Sequence, residues 1–141
     1  MNVIAHGVDM VPTGRLQEAI DRHGQRFLER VFTPLELAYC DRRPARKIEH
    51  LAGRFAAKEA VLKVLGTGWT NGIAWTDVEV RNAPSGQPDV FLSGRCEEIA
   101  RARGIKRVLI SISHVETHAI ASAIALADES GEKAATPQAA E

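Results

Sequence analysis

Glu59 lies in the run Leu51-Ala-Gly-Arg-Phe-Ala-Ala-Lys-Glu-Ala-Val-Leu-Lys-Val-Leu65, whose composition and apolar spacing predict a helix. At about 100° per residue it falls inside the apolar stripe that Ala52, Phe55 and Leu62 define. A carboxylate there is costly unless a salt bridge, a hydrogen-bond network or a metal ion compensates it. Asp9 poses the same problem on a strand, where Val3, Ala5, Gly7, Asp9 and Val11 share one face. Cations surround Glu59. Lys63 follows at i+4 in the favourable order, and Arg54 and Lys58 form a second i,i+4 pair on a flank. Two carboxylates from separate elements, with coordination positions left over, suit a Mg²⁺ ion that also binds substrate phosphates. Lys63, one turn beyond Glu59, is placed to steady a departing phosphate, and phosphoryl transfer depends mostly on such positioning and charge. The plainer alternatives are an ordinary Glu59–Lys63 ion pair and an Asp9 that caps the turn at Pro12-Thr13-Gly14.

The elements that must carry these groups can be read in chain order. Residues 3–11 predict a strand apolar on both faces, hence central and buried. Gly7, on the Asp9 face, leaves room there for a backbone or a ligand. Thr13 is expected to cap a helix over residues 15–23 that Gly24 ends, with Leu16, Ala19, Ile20 and His23 inward. Arg15, Glu18 and Arg22 lie on another face, which Arg26 joins if the helix runs on; it suits an acidic helix or is simply solvated. Residues 27–32 form an apolar link with a helical turn. Thr33-Pro34-Leu35-Glu36 predicts a capping box opening a helix with Leu35, Ala38 and Tyr39 inward. Arg42, Arg43, Arg46 and Lys47 make a basic elbow into the long helix, which Gly66 stops.

Beyond Gly68, Trp69 and Trp75 are candidates for stacking or core plugs. Residues 78–81 and 89–92 predict a hairpin across Ala83-Pro84-Ser85-Gly86. Ser93 is expected to cap a helix reaching about Arg103, with Gly104 as its stop. Strands follow at 108–114 and 119–126. The flat face of Ala119, Ala121, Ala123 and Ala125 lets the long helix lie close. Val61 and Val64 sit on the opposite side of that helix, so it needs a second partner. With one sheet covering one side, another subunit is expected on the rest.

Helices in a block and antiparallel strands predict an α+β fold, an antiparallel sheet packed on one long helix; neither GxGxxG nor a P-loop is present. At 141 residues, 45% hydrophobic and 26% charged, the chain reads as one domain over residues 1–126, with 127–141 a disordered acidic tail. A net charge of zero argues against wholesale nucleic-acid binding, while the basic first third suits an acidic partner or phosphorylated ligand. Cys40 and Cys96 have no metal-type spacing. No apolar run reaches membrane-spanning length and no signal peptide precedes Val3, so a cytoplasmic protein with free thiols is expected.

Several stretches recur in one family's order. They are Gly7-Val8-Asp9, Phe27-Leu28-Glu29-Arg30-Val31-Phe32-Thr33, Leu51-Ala-Gly-Arg-Phe-Ala-Ala-Lys-Glu-Ala60, Gly66-Thr67-Gly68, Ser85-Gly86-Gln87-Pro88 and Ser111-Ile112-Ser113-His114. Over nearly its whole length the chain resembles the bacterial holo-[acyl-carrier-protein] synthases, the short type of 4′-phosphopantetheinyl transferase. The resemblance implies transfer of 4′-phosphopantetheine from coenzyme A to a serine of apo acyl carrier protein, with release of adenosine 3′,5′-bisphosphate, in support of fatty acid biosynthesis. It implies Asp9 and Glu59 as Mg²⁺ ligands, Glu59 helping to deprotonate the serine directly or through water, and Lys63 assisting the leaving group. It places Arg54, Lys58, Gly66, Thr67, Gly68 and His114 near coenzyme A, and Arg15, Arg22 and Arg26 against the acidic carrier. It also implies a homotrimer with the active site between subunits. The family often has an acid where Pro12 stands here. Two other classes compatible with the residues are a metal-dependent phosphohydrolase and a non-catalytic adaptor for an acidic helix.

Overall fold

Helix α4 (Lys47–Leu65) runs between two layers of the same chain. The structure, a computed structural model, describes residues 2–68 and 72–128. Against one side of α4 lies a three-stranded antiparallel sheet made of β1 (Asn2–Pro12), β4 (Arg107–His114) and β5 (His118–Ala127), in the order β1-β5-β4. The other side is covered by α3 (Pro34–Asp41), α5 (Gly94–Ala102) and β2 (Val78–Asn82), which pairs only with β3 (Pro88–Leu92) in a separate two-stranded sheet. Helices α1 (Thr13–His23) and α2 (Gln25–Val31) connect β1 to α3. The class is α+β as expected, with two sheets rather than one. Among the described residues no helix is long and apolar enough to cross a membrane.

Small residues set how close α4 comes to the sheet. Ala119, Ala121, Ala123 and Ala125 of β5 are all buried beneath it, the flat face that the alternation predicted. On β1, a Cβ at Gly7 would fall 3.0 Å from Ala60 O and 3.0 Å from Lys63 Cβ, so the strand and helix backbones meet where a side chain is missing. Gly53 plays the same part against β4, where a Cβ would lie 2.9 Å from Ile112 Cγ2.

Several expectations are overturned. β1 is an edge strand, not a central one, because β5 pairs with both neighbours; Val8 is 46% and Met10 58% exposed on the uncovered side of the sheet. α4 is apolar on two sides, but no second subunit is needed to bury Val61 and Val64. They are fully enclosed in a core with Val78, Cys96, Ala100 and Ile105 of this chain. Thr13 does not cap α1: Pro12 holds that position, while the Thr13 hydroxyl donates to Glu116 O at 2.8 Å and its N–H to Thr117 O at 2.9 Å. Gly24, at φ 65°, separates α1 from α2, so Arg26 belongs to a different helix from Arg15 and Arg22.

The capping box of α3 forms as predicted. The Thr33 hydroxyl accepts the Glu36 N–H at 3.2 Å and Glu36 Oε1 accepts the Thr33 N–H at 2.9 Å. Its inward face differs, however. Leu35 and Ala38 are exposed and Tyr39 half-buried, while Glu36 and Cys40 are buried. Ser93 stands at the start of α5 without a side-chain capping bond. Cys40 and Cys96 are free, buried thiols, each pushed up to about 11 by burial. Trp75 packs on Phe55 with ring centroids 5.1 Å apart. Trp69 and most of the expected tail, from residue 129 on, lie outside the described residues.

Candidate active site

The close approach of β1 to α4 at Gly7 brings the two anomalous acids together. The Glu59 carboxyl is raised from its ordinary value to about 7, first by burial, then by a hydrogen bond to Asp9 and by the charge on Asp9; Lys63 and Arg15 pull it down. Lys63 does not spend its ammonium along its own helix. It crosses to β1, donating to Val8 O at 2.8 Å and to Asp9 Oδ1 at 3.3 Å. The plainer Glu59–Lys63 pair therefore gives way to a three-residue cluster spanning strand and helix. The cluster borders a cleft of about 420 Å³, lined also by Arg15 and by an apolar wall that includes Leu16, Ala19, Phe27 and Phe55.

Two carboxylates beside one cleft fit a divalent cation, since a positive ion there would offset the repulsion and burial that raise Glu59. Among the described residues no third His, Cys, Asp or Glu completes a cluster with them. Such a pair leaves positions for water and phosphate oxygens, as Mg²⁺ prefers.

A second cluster gathers around the N-terminal half of α4. His114 Nδ1 lies 2.8 Å from Glu49 Oε1, and its ring is 5.0 Å from that of His50, which in turn meets Tyr39 edge-on at 5.7 Å. The Arg54 guanidinium stacks over Tyr39 at 4.0 Å and donates to Asn82 Oδ1, while its buried Nε has no hydrogen-bond partner. Asn82 Nδ2 donates onward to Gly86 O at 3.0 Å, which ties in the Ser85–Gly86 turn. Burial, then His114 and Arg54, hold the His50 imidazole below its usual value. From the helical rise, His50 and Arg54 precede Glu59 by roughly 8 to 14 Å along the axis. The residues expected near coenzyme A thus fall into two groups within one chain.

Gly66, Thr67 and Gly68 follow the end of α4 directly. Gly66 (φ 80°) and Gly68 (φ 58°) take left-handed conformations, and the Gly66 N–H closes the helix on Leu62 O and Lys63 O. Arg15, Arg22 and Arg26 are exposed, and Arg15 reaches the cleft.

Lys58 is the misplaced expectation. It is 0% exposed, forms an ion pair with Glu36 at 2.9 Å, and donates to Trp75 O at 3.2 Å and to Val78 O. The other Glu36 oxygen accepts the Val80 N–H at 2.7 Å. Lys58 has no surface to offer coenzyme A; it binds α4 to α3 and β2 from inside. Spacing carried the signal. Leu51, Arg54, Lys58, Val61 and Leu65 recur at three- and four-residue steps, a second inward stripe in which the two cations lie between apolar residues.

Known proteins resemble the chain over most of its length. The family model of the 4′-phosphopantetheinyl transferase superfamily matches residues 5–126. The holo-[acyl-carrier-protein] synthase of Desulforudis audaxviator is 48% identical over 124 residues, covering 88% of this chain and 93% of the relative. The crystal structure of the Neisseria meningitidis synthase is 30% identical and superposes with a TM-score of 0.80 over 89% of this chain and 99% of that one. The Helicobacter pylori synthase, solved in complex with coenzyme A, is also 30% identical, with a TM-score of 0.76 over 86% of this chain and 100% of that one. The chain belongs to the 4′-phosphopantetheinyl transferase superfamily, among its holo-[acyl-carrier-protein] synthases.

Proposed function

We propose that this chain transfers 4′-phosphopantetheine from coenzyme A to a serine of apo acyl carrier protein and releases adenosine 3′,5′-bisphosphate, with Asp9 and Glu59 holding Mg²⁺. The observation that carries the reading is that Asp9 of β1 and Glu59 of α4 line one open cleft, with Lys63 Nζ 3.3 Å from Asp9 Oδ1. When bound, Mg²⁺ would supply positive charge to neutralise the diphosphate. Glu59 accepts the proton of the carrier serine, whose oxygen attacks the phosphorus that bears the pantetheine arm. The bond from that phosphorus to the leaving nucleotide oxygen breaks, and the Lys63 ammonium steadies the charge that develops there.

Arg15, Arg22 and Arg26 face the acidic carrier, and the apolar cleft wall of Leu16, Ala19, Phe27 and Phe55 gives it a seat. Arg54 and His114, with the Gly66-Thr67-Gly68 loop, serve coenzyme A. The uncovered apolar face of the sheet, with Val8, Met10, Leu109 and Ile120 exposed, supports a homotrimer in which an intersubunit site draws the two clusters of α4 into one. The catalytic domain spans residues 1–126, and the buried free thiols fit a cytoplasmic enzyme of fatty acid biosynthesis. Purified protein with coenzyme A, Mg²⁺ and apo carrier protein tests the reaction by intact mass. The carrier is expected to gain one 4′-phosphopantetheine with wild type and to gain it far more slowly with Glu59→Gln. A carrier left unmodified by wild type removes the proposal.

A further inference from the structure

The last carbonyls of α4 open toward the Gly66-Thr67-Gly68 loop. A helix C-terminus carries about half a negative charge, so a diphosphate brought near it is disfavoured unless cations answer. Lys63, in the last turn, is one such cation. Arg103 is the other, and it comes from a distant part of the chain. It follows α5 and reaches back so that Nη1 donates to Val64 O at 3.1 Å. Its guanidinium lies over Gly66, where a Cβ would fall 2.5 Å from Nη1 and 3.4 Å from Cζ. Gly66 is needed for its left-handed φ of 80°, and a side chain there would push the guanidinium from its present place. Arg103 remains exposed, so its charge is presented to solvent beside the loop.

We propose that Arg103 is a positioning residue for the coenzyme A side of the reaction. It fixes the exit of α4, hence the Gly66-Thr67-Gly68 loop, and offsets the helix-end charge where the phosphates approach. The role rests on the transfer reaction being the one this chain performs.

The test compares wild type, Arg103→Gln and Arg103→Lys in the transfer assay. Arg103→Gln is expected to raise KM for coenzyme A by about two- to fivefold, the range of an exposed charge at a helix end. KM for the carrier and kcat stay within about twofold. Arg103→Lys restores most of the loss, and added salt narrows the gap between Arg103→Gln and wild type. An unchanged KM for coenzyme A in Arg103→Gln, an Arg103→Lys no better than Arg103→Gln, or equal losses for both substrates overturns the role. Thermal unfolding checks the contact without catalysis. Gly66→Ala lowers the midpoint less in the Arg103→Gln background than in wild type, and equal losses overturn the contact. An inactive wild type overturns the reaction and this role together; an active wild type with a silent Arg103→Gln overturns the role alone.

Discussion

Burial and the neighbouring Asp9 raise the Glu59 carboxyl to about 7, so its charge is costly without a cation. That separates its catalytic from its structural worth. Glu59→Gln is expected to slow transfer by about 100-fold or more, read by carrier mass over time. The same substitution removes a buried acid beside Asp9, so the thermal midpoint of the metal-free protein at neutral pH should hold or rise; a large fall contradicts the strain assigned to Glu59. His50 gives the pH dependence. Its folded pKa is depressed below 6.5, chiefly by burial and by His114, so the folded state prefers the neutral ring. The stabilisation is complete above about 6.5 and is lost as pH falls through that value toward the depressed one. The thermal midpoint should therefore decline more steeply below pH 6.5 in wild type than in His50→Gln. The meeting of Asp9 and Glu59 was legible in the sequence because each acid breaks an apolar pattern on its own element. The burial of Lys58 was not, because the second apolar side was read from Val61 and Val64 without the cation between its residues, and its partner Glu36 already had a local explanation as a capping residue.

α4 sets the geometry of everything else, and its neighbours were only half visible from the sequence. The alanine face of β5 was readable as a period-two pattern. The covering of the far side was not, since apolar positions at Val61 and Val64 demand a partner without saying which one. The hairpin and α5 supply it from later in the chain. Lys58→Met leaves Glu36 buried without its cation and is expected to cost about 3–5 kcal/mol in denaturant unfolding. Gly7→Val forces a side chain into the seam between β1 and α4, where Ala60 O and Lys63 Cβ already stand 3.0 Å from the Cβ position. It is expected to cost about 1–3 kcal/mol and to move Asp9 off Glu59, lowering activity beyond the loss of folded protein. Full activity in a stably folded Gly7→Val protein would show that the two acids need no such closeness.

At the scale of the molecule, no element among the described residues covers one sheet face, where Val8, Met10, Leu109 and Ile120 are exposed. Edge position and exposed Val8 and Met10 on β1 were hidden in the sequence because alternation reports which residues are apolar, not whether both faces are covered. A homotrimer built on this face predicts that Met10→Glu lowers the mass found by analytical ultracentrifugation while circular dichroism stays unchanged. A monomeric wild type contradicts an intersubunit site. The account as a whole stands on the acids of β1 and α4 modifying a carrier serine. The most direct measurement is the intact mass of apo acyl carrier protein after incubation with coenzyme A and this protein, with Mg²⁺ present and then chelated. The account predicts a gain of one 4′-phosphopantetheine with Mg²⁺ and essentially none after chelation. A carrier whose mass stays unchanged in the presence of wild-type protein and Mg²⁺ contradicts it.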